Sequence, residues 1–202
     1  DDFEYFGETE HGTPVWLNKH VCDADLVILT GTVVYHFFSG FGGGRKAVLP
    51  GVAAMETVRK NHSLMMSPEA KLGKLHGNPV YDDQVEGVRL FAKEHKMFLF
   101  HSILDAQKQF LKVFAGDWYE AHLEACKFVE QVYGVPISEP ADVVIASCGG
   151  YPKDINIYQL QKTMDNAWCA VKDGGVIIIL GECEEGSGSA ALELSLIHIS
   201  EP

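Results

Sequence analysis

The chain has 202 residues, enough for one ordinary domain or for parts of two. Of these residues 47% are hydrophobic and 22% are charged, which is typical of a globular protein and excludes an intrinsically disordered chain. Sixteen lysines and arginines face 28 acidic residues, for a net charge of −12. So acidic a chain lacks the broad cationic surface that general binding to nucleic acid or anionic membranes requires.

Cysteine usage and hydropathy indicate a reducing, aqueous compartment. Five scattered cysteines without a Cys-X-X-Cys spacing predict neither a disulfide framework nor a cysteine-ligated zinc site. No apolar run approaches the roughly 18 residues of a membrane-spanning helix. We therefore expect a cytoplasmic protein without a membrane partner.

Both ends of the sequence resemble the ends of a gene fragment. The chain begins with Asp1 rather than Met, so the absence of a leader at this end carries little information. The last nine residues, Leu194–Pro202 (LSLIHISEP), resemble the translated read-through of a transposase-type sequencing adapter. We expect 194–202 to be foreign to the native protein.

Hydrophobic periodicity predicts alternating strands and helices over most of the chain. A β-branched run over Asp25–Val34 predicts a strand that leads into a glycine-rich loop at Ser39–Lys46. The elements predicted next are a helix with Met55, Val58 and His62 on its apolar face, a helix over Asp82–Lys96, a strand over Met97–Leu104, and a helix over Asp117–Tyr133 with Ala121, Ala125, Phe128 and Val132 on one face.

A proline-containing segment, Gly134–Pro140, predicts a linker between two domains. A βαβ unit follows, with a strand over Asp142–Ser147, a helix from Asp154 to about Lys172, and a strand over Val176–Leu180. Such a unit favours parallel strands. The sequence therefore predicts two α/β domains, a larger one over 1–137 that is incomplete at its N-terminus and a smaller one over 138–193 that is incomplete at its C-terminus.

The glycine-rich loop is the first candidate site. Ser39–Lys46 (SGFGGGRK) offers unobstructed backbone N–H groups beside the cations Arg45 and Lys46, a combination that suits a phosphate. Arg45 and Ala47 occupy positions where a P-loop needs other residues, and the dinucleotide glycine fingerprint is also incomplete. A flexible turn is the alternative, but an Arg-Lys pair in so acidic a chain favours an anionic ligand.

Three further side chains near this loop are candidates for chemistry. Lys46, beside an arginine and apolar residues, has the surroundings that lower an amine pKa and make lysine nucleophilic, whereas most lysines are simply solvated. His36 ends the strand before the loop, and His62 lies on a predicted apolar face. Imidazole transfers protons near neutral pH and binds nickel or zinc, although buried structural histidines are common.

The segment Gly149–Lys162 (GGYPKDINIYQLQK) is the second candidate site. Gln159 and Lys162 share a helix face because they are three residues apart, and Tyr158 adjoins them. An amide, an ammonium and a phenol at the end of a strand predict a carboxylate-binding site, with a solvated helix face as the alternative.

These motifs together resemble the nickel-dependent lactate racemase family (LarA type). The likeness is carried by His36–His62 (HFFSGFGGGRKAVLPGVAAMETVRKNH), by Gly149–Lys162, and by Asp165–Gly186. It extends over nearly all of Asp1–Leu192, which corresponds to roughly half of a family member. Histidine, lysine and histidine at intervals of 10 and 16 positions make the first stretch the most specific.

The resemblance implies an isomerase that uses a nickel-pincer nucleotide (pyridinium-3,5-bisthiocarboxylic acid mononucleotide), which holds nickel through two sulfurs and a carbon. It implies that Lys46 tethers this cofactor through a thioamide and that His62 is the nickel ligand. His36 is implied to be one of two catalytic histidines. The loop argument adds four candidate cofactor contacts: Gly42, Gly43, Gly44 and Arg45.

The implied reaction interconverts D- and L-lactate. A Cα hydrogen beside an ionised carboxylate is hardly acidic, so its removal as hydride is easier once His36 has taken the hydroxyl proton. Tyr158, Gln159 and Lys162 are implied to contact the substrate, the last two through its carboxylate, and to retain the planar keto acid until hydride returns. Three residues are candidates to shield the cofactor ring from water: Phe37, Phe38 and Phe41.

The sequence departs from the family in its extent. The second catalytic histidine and a carboxylate-binding arginine are expected upstream of Asp1, so we expect this polypeptide alone to be inactive. Expected partners are lactate and the cofactor-maturation proteins, and the oligomeric state is not fixed. Two alternatives stay open: a racemase or epimerase of another 2-hydroxy acid, and a nucleotide-phosphate binding module without catalysis.

Overall fold

The computed structural model describes residues 2–105 and 107–190. It divides the chain into two units, Asp1–Gly134 and Val135–Pro202. Each unit combines helices with a parallel pair of strands, which confirms the predicted α/β class. The segment 194–202 lies outside the described residues. No helix in the described part of the chain is both long and apolar enough to cross a membrane.

The first unit is built around a three-stranded sheet. Its elements in chain order are β1 (Phe3–Glu8), β2 (Pro14–Asn18), α1 (Lys19–Cys22), β3 (Val27–Thr32), β4 (Tyr35–His36), β5 (Gly40–Phe41), α2 (Met55–Ser63), α3 (Pro79–Ala92), β6 (Met97–Leu104), β7 (Phe110–Gly116) and α4 (Glu120–Tyr133). The sheet has β6 at its centre, parallel to β3 and antiparallel to β7. The pairs β1–β2 and β4–β5 form separate antiparallel hairpins.

Strand β6 has the predicted bounds and shows the period of two that sheets impose. Leu99, His101 and Ile103 are buried, whereas Phe98 and Phe100 between them are exposed. The buried face covers a core that includes Val88 and Phe91 of α3 in addition to Leu99. The polar His101 therefore stands at a core-facing position of the central strand.

Helix α2 is confirmed, but the predicted buried face is wrong. Met55 is 62% exposed, and the residues fully buried are Thr57 and Asn61. Thr57 Oγ1 donates to the carbonyl of Pro14, and Asn61 Nδ2 donates to that of Val80. The helix is thus fixed by buried hydrogen bonds where periodicity of apolar residues predicts packing.

Helices α3 and α4 differ from their predicted limits and orientation. α3 begins at Pro79, because the side-chain oxygen of Asn78 accepts from the first backbone N–H groups and proline suits the first turn. α4 buries His122, whereas Val132 of the predicted face is 44% exposed. The buried side of α4 comprises His122, Ala125, Cys126 and Val129.

The second unit is a βαβ unit of β8 (Ala141–Ser147), α5 (Ile157–Trp168) and β9 (Val171–Leu180). Strands β8 and β9 pair in parallel, as predicted. α5 starts after Asn156, whose side-chain oxygen accepts from the backbone N–H of Gln159, and not at Asp154. The carboxylate of Asp154 accepts instead from the backbone N–H of Glu182 at 3.3 Å.

Candidate functional site

The hairpin of β4 and β5 carries His36 next to two phenylalanines. The imidazole stacks on Phe37 with 5.2 Å between ring centroids, and it meets Phe38 edge-on at 4.6 Å. Nδ1 of His36 accepts a hydrogen bond from the backbone N–H of Ser39 at 3.3 Å. The neutral ring therefore carries its proton on Nε2.

Lys46 lies in a single 3₁₀ turn, Gly44–Ala47, with Nζ 5.7 Å from the centroid of the Phe38 ring. Burial lowers the pKa of the amine to about 8, and the positive charge of Arg45 acts in the same direction. An amine with this pKa is partly neutral near pH 7 and is a better nucleophile than a solvated lysine.

His62 occupies the last turn of α2, where its ring meets the Phe38 ring at 5.1 Å. Nδ1 lies 2.9 Å from the carbonyl oxygen of Val58 and donates to it, so the lone pair of the neutral ring is on Nε2. Burial lowers the pKa of His62, and the Lys46 charge adds to this shift. A neutral imidazole whose second nitrogen is fixed by a backbone carbonyl is the form that binds a metal ion.

The structure brings His36, Lys46 and His62 together around one side chain. Each of them contacts the ring of Phe38, which is only 7% exposed. One amine and two imidazoles therefore surround a single apolar surface. Of the other proposed shielding residues, Phe37 stacks on His36, whereas Phe41 packs against Tyr35 in the core.

The glycines of the loop are held by hydrogen bonds within the protein. The N–H of Gly42 donates to the carbonyl of Val34 at 2.8 Å, and the N–H of Gly44 donates to Nε2 of His101 at 2.7 Å. Gly44 has φ +57°, and a Cβ there would lie 2.4 Å from the His122 ring. Glycine is thus required by backbone conformation and close packing, and the unobstructed-amide argument for a phosphate applies to neither Gly42 nor Gly44.

Two histidines that the sequence analysis passed over clamp this loop. His101 on β6 accepts from the Gly44 N–H, and Nε2 of His122 on α4 donates to the Gly42 carbonyl at 2.9 Å. Burial lowers the pKa of His101, and burial together with the Arg45 charge lowers that of His122 to about 3. Both rings are neutral at pH 7. For His101 the sequence offered one signal of a buried structural role, namely a polar residue at a core-facing position of β6.

Arg45 faces the interior and not a surface where it would meet a ligand. It is 1% exposed, and its Nη2 donates to the carbonyls of Ser39 and Phe41 and to the Ser39 hydroxyl. The guanidinium carbon lies 4.4 Å from the centroid of the Tyr81 ring. The Arg45 guanidinium therefore holds the loop together through the carbonyls of Ser39 and Phe41, and its positive charge contributes to the lowered pKa of Lys46.

In the second unit, Gln159 and Lys162 line one pocket of about 230 Å³. Lys162 Nζ donates to Gln159 Oε1 at 2.7 Å, so the predicted pair is in contact. Tyr158 does not line this pocket and is 52% exposed. The remaining residues of the wall are Cys148, Lys153, Thr163 and Asn166.

Lys153 also lines this pocket, although it was not among the candidate site residues predicted from the sequence. It stands within the GGYPK motif and brings a second ammonium to the pocket of Lys162. No acidic side chain lines this pocket among the described residues. Two cations and two amides suit a small carboxylate.

Two family models match this chain, one at each end, and both describe domains of the same enzyme. A family model described as the lactate racemase N-terminal domain matches residues 1–73. A second model, described as the lactate racemase C-terminal domain, matches residues 137–202.

The chain is also similar to individual proteins. It is 39% identical over 190 residues to a lactate racemase of Thermoanaerobacterium thermosaccharolyticum and 38% identical over 198 residues to one of Lactiplantibacillus plantarum. These alignments cover 93% and 97% of this chain but 44% and 46% of the relatives, so the chain spans less than half their length.

Two solved structures share the fold. The lactate racemase apoprotein of Thermoanaerobacterium thermosaccharolyticum matches with a TM-score of 0.88 at 38% identity, over 94% of this chain and 45% of that one. A Thermotoga maritima protein matches with a TM-score of 0.60 at 19% identity, over 77% of this chain and 43% of that one, which is evidence for the fold alone. With both family models and the relatives in agreement, the chain belongs to the lactate racemase family.

Proposed function

We propose that this chain supplies the cofactor site and part of the substrate site of a lactate racemase that interconverts D- and L-lactate. The observation that carries the proposal is the convergence of His36, Lys46 and His62 on the Phe38 ring. Similarity to proteins named lactate racemase supports the choice of substrate.

The residues around Phe38 fit a nickel-pincer nucleotide. With a pKa of about 8, roughly a tenth of Lys46 amines are neutral at pH 7, and the neutral amine is the nucleophilic form that would form a thioamide with a thiocarboxylic acid of the nucleotide, with loss of water. His62 offers a neutral imidazole whose Nδ1 is fixed by Val58. Within 2–105 and 107–190 no three His, Cys, Asp or Glu side chains form a metal site, and a cofactor with its own sulfur and carbon ligands needs only His62 from the protein.

The chain's residues then divide the work of racemisation. When bound, the nucleotide would accept the hydride of the substrate Cα and give it back. His36 takes the hydroxyl proton, since Nδ1, which accepts from the Ser39 N–H at 3.3 Å, carries the lone pair of the neutral ring. Oxidation to the keto acid makes Cα planar, and return of the hydride to the opposite face, with a proton to the oxygen, inverts it.

Lys162, Gln159 and Lys153 hold the carboxylate during this step. The proposal is supported by the bond from the Lys162 ammonium to Gln159 Oε1 and by the pocket that these residues share. An ionised carboxylate that accepts two or three such bonds stays bound while the keto acid reorients. Tyr158 belongs to the same motif but does not line this pocket.

Compartment and partners follow from the same proposal. All five cysteines are unpaired, which favours the reducing cytoplasm. The partners that the proposal implies are lactate and the proteins that build the nucleotide and deliver it. A nucleotide-phosphate module without catalysis is the weaker alternative, because Arg45 is buried and the Gly42 and Gly44 amides are bonded inside the protein.

Intact-mass analysis of the chain co-produced with cofactor-maturation enzymes tests the proposal. We expect a covalent adduct on Lys46, and none in the matched variant Lys46→Arg, which keeps the positive charge but has no nucleophilic amine. His62→Ala should keep the adduct and lose nickel, measured by elemental analysis. A chain that binds the nucleotide without any adduct on Lys46 would support the phosphate module instead.

A further inference from the structure

A line of buried polar side chains crosses the first unit from the glycine-rich loop to α3. We call it the Arg45–Asp83 network, and its members are Arg45, Ser39, Gln84, Asn61 and Asp83. Arg45 is 1% exposed and the other four are 0% exposed. Burial of so many polar groups costs free energy unless each is hydrogen-bonded, so such an arrangement is not expected from packing alone.

The four hydrogen bonds of the network all donate in one direction. Arg45 Nη2 donates to Ser39 Oγ at 2.7 Å, and Ser39 Oγ donates to Gln84 Oε1 at 2.9 Å. Gln84 Nε2 donates to Asn61 Oδ1 at 3.1 Å, and Asn61 Nδ2 donates to Asp83 Oδ2 at 2.7 Å. Turning over either amide would set like groups against each other, so Gln84 and Asn61 each have one orientation that satisfies both of their bonds. Arg45 joins the network through Nη2 alone, since its Nε and Nη1 are buried without a hydrogen-bond partner among the described residues.

The far end of the network is anchored to a second part of the unit. Asp83 also accepts from the hydroxyls of Thr9 and Thr13, which flank the connection between β1 and β2. The carboxyl group therefore has hydrogen bonds on both oxygens. Fixed at this end, the network cannot shift as a body relative to the hairpin.

The network passes next to both candidate cofactor residues. Arg45 directly precedes Lys46 in the 3₁₀ turn, and Asn61 directly precedes His62 in α2. Ser39 and Gln84 join the two segments, which are otherwise separate in sequence. The network therefore links the backbone next to Lys46 to the backbone next to His62.

We propose that Ser39, Asn61 and Gln84 are positioning residues that fix the Lys46 amine relative to the His62 imidazole. Hydrophobic residues of similar volume often fill such a space with equal or greater stability, but they do not impose one directional arrangement. The use that we assign to this alignment, attachment of one cofactor to both groups, rests on the proposed function. The geometry of the network does not depend on it.

The pH profile of Lys46 acetylation in the 202-residue chain tests the proposal without any cofactor. Acetic anhydride reacts with the neutral amine, and peptide mass spectrometry reads the rate at Lys46. Ser39→Ala removes one hydroxyl, and Gln84→Met removes two hydrogen bonds at similar length. Val88→Ala is the matched control, because Val88 is equally buried on α3 but lies outside the network.

In the native chain we expect half-maximal reaction near pH 8. In Ser39→Ala and Gln84→Met the Lys46 amine should gain contact with water, and each unit of upward shift in the midpoint lowers the neutral fraction at pH 7 about ten-fold. Val88→Ala should keep the native midpoint. If Gln84→Met does not fold, the midpoint measured for Ser39→Ala tests the proposal on its own.

Two results would overturn the inference: an unchanged midpoint in the folded network variants, or an equal shift in Val88→Ala. The profile is independent of the adduct experiment. A native chain with no adduct on Lys46 would refute the proposed function and leave the acetylation result standing, whereas an adduct with unchanged midpoints would refute only the positioning role.

Discussion

The two candidate sites differ in how firmly their own units fix them. Around Lys46, the neighbouring Phe38 and Arg45 are 7% and 1% exposed, and the loop is clamped by two neutral histidines. In the second unit, Tyr158 is 52% exposed and the ammonium of Lys162 is bonded to a neighbouring side chain of the same helix.

The roles proposed for the two sites would account for this difference. A nucleophilic amine needs burial and a nearby cation to lower its pKa, and both require a rigid surrounding structure. The proposed carboxylate site needs side chains that a ligand can reach from solvent, and Lys153 and Lys162 line an open pocket. Under the proposed function, burial in the first unit would make Lys46 reactive, and the open pocket of the second unit would keep its carboxylate-binding groups accessible.

The largest expected effect comes from a methyl group added to the clamped loop. Gly44→Ala combines φ +57° with a Cβ only 2.4 Å from the His122 ring, so we expect a loss of about 3 kcal/mol of unfolding free energy. Gly150→Ala is the matched control, with φ +77° but open space around the new Cβ, and should cost about 1 kcal/mol. Urea unfolding measures the free energy of unfolding of both variants, and hydrogen exchange separates the two units. Equal losses of unfolding free energy in Gly44→Ala and Gly150→Ala would contradict the contrast between the sites.

The same contrast explains what the sequence could predict. Strand β6 was predicted with its observed bounds because Met97–Leu104 is a mostly apolar segment of strand length. The buried face of α2 was not, because Thr57 and Asn61 are buried for hydrogen bonds with partners distant in sequence. Hydrophobic periodicity predicts which apolar residues pack in a core, but it does not predict which polar residues are buried.

The candidate sites divide in a similar way. His36, Lys46 and His62 were candidates because of their local surroundings and the resemblance to the family, and the structure places all three at Phe38. His101 and His122 were not selected because each acts on a glycine more than fifty positions away, and no local pattern encodes that contact. The sequence thus identified the candidate reactive groups but not the buried histidines that hold the loop beside them.

A smaller effect is expected from acid, and it should be confined to the first unit. Below about pH 6.5 an unfolded His122 takes up a proton, whereas the folded ring stays neutral to about pH 3. Stability is therefore present above pH 6.5 and lost as the pH falls, by about 1.4 kcal/mol per unit, or about 2 kcal/mol at pH 5. The lowered pKa of His101 acts with the same sign.

His122→Gln should flatten this slope, because an amide can still donate to the Gly42 carbonyl without titrating. Residues 135–190 contain no histidine, and burial raises the pKa of Asp165 there, which favours the folded second unit as the pH falls. Hydrogen exchange at pH 7 and pH 5 separates the units. The same slope in wild type and His122→Gln would show that buried imidazole does not govern acid stability.

The smallest effect is expected in the open pocket, where charges can be removed without unfolding the protein. Lys153→Gln and Lys162→Gln should each weaken lactate binding by roughly three- to ten-fold, since one charge-assisted hydrogen bond is lost in a solvated site. Neither change should alter the urea midpoint, because the pocket is open to solvent. Lys172→Gln is the matched control, since Lys172 pairs with Asp142 at 3.0 Å and does not line the pocket. Chemical-shift titration with each lactate enantiomer measures the affinity. Weakening by Lys172→Gln to the same degree would mean that overall charge, and not the Lys153–Lys162 pocket, attracts the carboxylate.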